Sequence, residues 1–227
     1  HDPENVLGYA LGGYVHMQKG EFKLAVRDYE QAVARERTNM AVWRLSAARA
    51  AAGMIAPYMP LVEWLEEHGD DLATRQLLVS AYSSSGKNEE ALEQYRQIIL
   101  RRPGYVPVLN NAAWLCLQLE KDCALEYGRK AYKIAPANAA VIDTLALAEL
   151  KVGDAARAVD LLRKATALQP ENREIAYHLA LALSEQGIKQ EALSILERVT
   201  VTDKPFDSLE DARSLQKKLL ATETARQ

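Results

Sequence analysis

A period of about 34 residues is set by the spacing of two small or rigid residue types. Ala91, Ala124, Ala158 and Ala192 follow one another at intervals of 33, 34 and 34, and Pro103, Pro136, Pro170 and Pro205 at 33, 34 and 35. A period of this length with two amphipathic patterns inside it restricts the chain to stacked helix pairs. No such pair buries its apolar face alone, so its neighbours must supply the missing wall.

The stretch from Ala139 to Asn172 shows the unit most clearly. Ile142, Leu145, Ala146 and Glu149 fall at i, i+3, i+4 and i+7, one face of a first helix from about Val141 to Val152, with Glu149 alone breaking the apolar stripe. Gly153 stands where a left-handed residue closes a helix at little cost. Asp154 is placed to cap the next helix through its side-chain oxygen. That second helix presents Ala158, Leu161, Leu162 and Ala165 on one face. Pro170 stops it, because proline lacks an N–H and clashes with the preceding turn.

The same register divides residues 6–206 into repeats over 6–39, 40–71, 72–104, 105–138, 139–172 and 173–206. The opening His1-Asp2-Pro3-Glu4-Asn5 reads like Gln169-Pro170-Glu171-Asn172. Residues 1–5 are therefore expected to be the end of a truncated preceding repeat, in the C-terminal portion of a longer protein. Gly12 and Gly13 occupy the close-approach position of the first repeat. The second half of repeat two carries Pro57 and Pro60, and Pro60 should start its helix late or kink it. The inter-helix turn of repeat four lacks glycine and is one residue short. Residues 207–222 are expected to form a closing helix, with Leu209, Ala212, Leu215 and Leu219 against Arg213, Gln216, Lys217 and Lys218, and 223–227 a frayed tail.

These features resemble the tetratricopeptide repeat family over almost the whole chain. Ala146 and Ala158 match the family positions where paired helices approach closely. The resemblance implies an all-α, right-handed superhelical solenoid of about six helix pairs with a C-terminal capping helix. It also implies that function lies on a concave wall made by the first helix of each pair. Outward positions there, by register, include Tyr14, Met17, Arg44, Gln76, Ser80, Asn110, Trp114, Asp143, Leu147, Tyr177 and Leu181. Asn111 matches a place where the family often hydrogen-bonds a bound peptide backbone. Members that bind chaperone tails add Lys and Arg to clamp a terminal carboxylate; the matching positions here are Asp143 and Leu147, so that clamp is missing. Asn110-Asn111-Ala112-Ala113-Trp114 is similar to the NNLAW repeat common near the C-termini of bacterial members, many of which belong to envelope assembly and exopolysaccharide export, with Ala112 in place of the usual Leu. Pro205-Phe206 before a short leucine-bearing helix is similar to the close of the lipoproteins linked to PEP-CTERM sorting.

Composition narrows the partners. With 48% hydrophobic and 26% charged residues and a formal net charge of −3, the chain has no strong electrostatic preference for nucleic acid or anionic membrane. No apolar run approaches the ~18 residues of a spanning helix, so direct membrane insertion of this segment is not expected. His1, His16, His68 and His178 have no metal-ligand spacing, and His16 is expected to be a packed core residue. Cys116 and Cys123 match no zinc or redox motif and are expected as free thiols, the first buried and the second opening a helix. The pairs Glu66-Glu67 and Glu89-Glu90 fall on solvated helix surfaces. There is no phosphate-cradling loop and no nucleophile constellation, so no catalytic residues, cofactor, metal or enzymatic activity are expected. The reading is a protein-interaction scaffold that binds a protein or peptide segment, in a bacterial envelope, exopolysaccharide or protein-export assembly. Its compartment is then periplasmic or envelope-associated, with the cytoplasm as the alternative. Two other classes stay open: a regulatory arm of a larger enzyme, and a self-associating array forming homo-oligomers.

Overall fold

The computed structural model describes residues 5–201 and 205–224 of the 227-residue chain. The expectations for residues 1–4 and for the last three residues of the tail lie outside the described residues. Among the described residues all regular structure is helical, and the chain divides into two compact units, residues 1–101 and 102–227. The first unit pairs α1 (Val6–Gln18) with α2 (Phe22–Arg35), α3 (Asn39–Ala51) with α4 (Met59–Glu67), and α5 (Leu72–Ser84) with α6 (Asn88–Arg101). The second pairs α7 (Val106–Gln118) with α8 (Cys123–Ile134), α9 (Ala139–Lys151) with α10 (Ala155–Leu168), and α11 (Arg173–Glu185) with α12 (Lys189–Thr200), and ends in α13 (Leu209–Thr224). Within each unit a helix packs chiefly on its neighbours in sequence. First helices of adjacent pairs also touch: α3 with α5, α7 with α9, and α9 with α11.

Small residues set the spacing of each pair. Ala146 and Ala158 have no exposed surface, and Ile142, Leu161, Leu162, Leu183 and Leu196 fill the core of the second unit around them. In the first unit a Cβ on Gly13 would lie 2.7 Å from the Tyr29 ring, so only glycine permits this approach of α1 to α2.

The turns inside the pairs repeat one backbone device. The left-handed region is occupied by Gly20, Gly53, Gly86, Glu120, Gly153 and Gly187, at intervals of 33, 33, 34, 33 and 34 residues. Each donates its N–H back into the preceding helix, as Gly153 does to the Leu150 carbonyl at 3.0 Å, satisfying a carbonyl that the helix end leaves open. Asp154 then caps α10, accepting the Arg157 N–H at 2.9 Å. In repeat two, α4 does start late, at Met59, with Pro60 in its first turn, and it has only 9 residues. The chain reaches it through Ala56, a second non-glycine residue at positive φ.

Side-chain pairing corrects two expectations and accounts for one break in the apolar pattern. Cys116 and Cys123 are not free thiols but a disulfide, with Cα atoms 5.8 Å apart. Cys116 lies near the end of α7 and Cys123 begins α8, so the tight turn between them brings the two side chains face to face. His16 is not a packed core residue. It is half-buried, with Nδ1 2.5 Å from Glu21 Oε2 and Nε2 3.6 Å from Asp28 Oδ2, because two carboxylates of the same repeat stand beside it. Glu149 interrupts the apolar stripe yet is only 3% exposed; Arg129 of α8 reaches both its carboxylate oxygens, at 3.1 and 3.2 Å.

Candidate protein-interaction site

Trp114, Leu147 and Leu181 are each the ninth residue of a first helix, on α7, α9 and α11. Adjacent packing of these helices sets the three side chains in a row. They line one open cleft of about 530 Å³, together with Leu117 and Leu150 one turn further along and with Lys151 and Glu185 at its rim. Trp114 keeps 43% of its surface exposed, while Leu147 and Leu181 are partly covered. The face is therefore apolar and half-open on the C-terminal halves of the three helices.

The N-terminal halves are polar. Asn111 is exposed, and Asn110 is half-buried with its Oδ1 buried and without a hydrogen-bond partner. Asp143 is taken up by a neighbour: its Oδ1 lies 2.7 Å from Nδ1 of the buried His178. The His178 Nε2 is 3.5 Å from Glu174, which also accepts hydrogen bonds from the Ser208 backbone N–H and hydroxyl. A chain of polar groups thus runs from α9 through α11 to the start of α13.

Tyr177 holds an outward register position but is only 9% exposed and belongs to the core. Burial raises its phenol pKa, and the nearby carboxylates of Asp211 and Glu174 add to the rise. Asp211 lies on α13, and Ser208 just before that helix is bonded to Glu174, so the approach to the closing helix lies beside this end of α11. The cleft accordingly joins Trp114, Leu147 and Leu181, and leaves Tyr177 aside. Leu117 and Leu150 were missed in the sequence, although their position three residues after Trp114 and Leu147 is a usable signal.

The remaining positions belong to the first unit. Tyr14 and Arg44, both exposed, line a hollow of about 320 Å³ with Leu7 and Leu11. Gln76 is exposed on α5, and Met17 is partly buried against the α2–α3 core. Ser80 lines another hollow, of about 440 Å³, with Trp43 and Leu77. Trp43 is fixed there by a hydrogen bond from its Nε1 to Thr74 Oγ1 at 2.6 Å. Among the described residues no group of three His, Cys, Asp or Glu side chains is placed to hold a metal ion, and no helix is long and apolar enough to cross a membrane.

Comparison with known proteins agrees with this architecture. Two tetratricopeptide repeat family models match, one over residues 144–208 and the other over 9–39 and 73–105. The chain belongs to the tetratricopeptide repeat family. The unmatched stretches hold the late, short α4 and the turn that lacks glycine. Among solved structures, a tetratricopeptide repeat protein from Parabacteroides merdae is similar at 17% identity and a TM-score of 0.74, covering 97% of this chain and 91% of that one. Two structures of MamA are similar at TM-scores of 0.54 and 0.55, with 15% and 16% identity; they cover 86% and 82% of this chain and 89% and 91% of their own. No curated protein gives a significant match. Proteins of this family generally act as non-enzymatic scaffolds for protein–protein contact.

Proposed function

We propose that the chain holds a segment of a partner protein in the Trp114–Leu147–Leu181 cleft, within an assembly of the bacterial envelope that serves exopolysaccharide or protein export. The observation that carries the docking reading is the convergence of three ninth-position side chains on one open apolar cleft. A half-exposed tryptophan beside two leucines is the kind of anchor that dominates binding energy. Asn111, on the polar half, can pair both a backbone N–H and a C=O, which favours an extended segment without demanding a sequence. The Cys116–Cys123 bridge supports a periplasmic or envelope-associated compartment, since disulfides persist where the surroundings are oxidising.

The test is capture of partners from the source organism by the parent chain and by Trp114→Ala and Asn111→Ala. Each variant should capture less of the same partner while its helical CD signal and melting temperature stay nearly unchanged. Equal capture by both variants would remove the cleft from the function.

A further inference from the structure

Five of the six turns that close a helix pair use glycine at the left-handed residue, and the sixth uses Glu120 at φ +56°. An L-residue with a Cβ is held there at a cost that glycine avoids. The same turn is also shortened. Gly20, Gly86, Gly153 and Gly187 each stand five residues before the small alanine of the second helix, whereas Glu120 stands four before Ala124. Yet the turn forms the same closing bonds as the others, Glu120 N–H to the Leu117 carbonyl at 3.1 Å and Lys121 N–H to the Cys116 carbonyl at 2.8 Å. The disulfide bridges this turn and this turn only, since the chain has two cysteines. Cys116 sits between Trp114 and Leu117, both of which line the cleft.

We propose that the Cys116–Cys123 bridge is a redox-operated lock: closed, it keeps Glu120 in the conformation that glycine takes elsewhere and holds the Trp114–Leu117 wall of the cleft; reduced, it lets that wall loosen. The consequence for binding rests on the docking function proposed above; the lock itself does not. Cys116 is fully buried and Cys123 is partly exposed, so a dithiol reductant meets the bridge at the Cys123 sulfur. A thiolate of the dithiol attacks that sulfur, the S–S bond breaks, and Cys116 leaves as a thiolate. The second thiol then attacks the mixed disulfide, releasing Cys123 as a thiolate and the reductant as its cyclic disulfide. Two electrons pass from the dithiol to the bridge.

The test is amide hydrogen exchange at Glu120 and Lys121, in the oxidised and dithiothreitol-reduced chain, for the parent and for Glu120→Gly. Reduction should speed exchange in the parent about 5- to 30-fold more than in Glu120→Gly, the factor that corresponds to about 1–2 kcal/mol for a left-handed L-residue. Equal acceleration in the two chains overturns the lock. Because the cysteines stay in place, this comparison does not depend on whether a cysteine-free variant folds. Partner capture forms the second arm. Capture that falls on reduction in the parent but persists in reduced Glu120→Gly supports the link to the cleft. Capture indifferent to reduction, while Trp114→Ala still abolishes it, overturns that link. If Trp114→Ala captures as well as the parent, the docking function falls, and the exchange result still decides the lock.

Discussion

Trp64 donates its indole N–H to Oδ2 of Asp71 at 2.9 Å, across the short turn that leads from α4 to α5. The Thr74 hydroxyl donates to the same oxygen at 2.7 Å and the Thr74 N–H to the other at 3.0 Å, while Trp43 donates to Thr74 Oγ1 at 2.6 Å. One carboxylate therefore caps α5 and ties both tryptophans of the irregular repeat into a single network. Burial alone would raise the Asp71 carboxyl pKa, but the bonds from Thr74 and Trp64 outweigh it and hold the pKa below the ordinary value.

Asp71→Ala removes the cap and leaves an indole N–H and a hydroxyl without their acceptor. It should destabilise the first unit by about 2–3 kcal/mol in urea denaturation. The folded carboxyl titrates below the unfolded one, so its stabilisation is complete above the unfolded pKa and is lost as pH falls through the folded pKa. Asp71→Asn should accordingly flatten the acid limb of the stability profile. An acid limb of unchanged slope in Asp71→Asn would remove this carboxylate from the account.

Gly13→Ala places a Cβ against the edge of the buried Tyr29 ring. Neither α1 nor α2 can shift without disturbing the other's packing, and the cost should be about 1–3 kcal/mol. A denaturation midpoint equal to that of the parent would mean that the ring yields freely.

Aromatic truncations should separate by burial. Tyr29 is 3% exposed and Tyr29→Ala should cost about 3–5 kcal/mol, the range of large core truncations. Tyr95 on α6 is only half-buried, so Tyr95→Ala should cost less than Tyr29→Ala. Ala158→Leu, at a position with no exposed surface, should destabilise the second unit by about 1–3 kcal/mol. Comparable losses for Tyr29→Ala and Tyr95→Ala would contradict the packing described.

Arg129→Ala should strand the Glu149 carboxylate in the α8–α9 interface, at a cost of about 1–3 kcal/mol. Glu149→Leu removes the charge together with its need for a partner and should be milder. If Arg129→Ala is the milder of the two in thermal unfolding, the buried carboxylate is solvated by some other route.

The helix pairs were legible in the sequence because the contacts that define them recur at Gly13, Ala146 and Ala158, where any larger side chain would hold the backbones apart. The apolar half of the cleft was legible for the same reason: a register says which face of a helix a residue occupies. It does not say toward which neighbour a polar side chain bends. His178 and Asp143 are 35 residues apart and Trp43 and Thr74 31, so both pairings depend on how adjacent helices are offset. Tyr177 was hidden because its burial depends on how the core of the second unit closes around it, which an outward register position does not report. The disulfide escaped for a related reason: seven residues can span a helix end and a turn in many ways, and only the tight turn at Glu120 brings the sulfurs together.

Packing against sequence neighbours also orders events during synthesis. Low contact order favours rapid folding, and within each unit a helix pair can settle onto its predecessor soon after both helices have emerged. The span from Cys116 to Cys123 lies within one such hairpin. Its oxidation needs no residue beyond α8, so the bridge can close before the last pair and the closing helix exist.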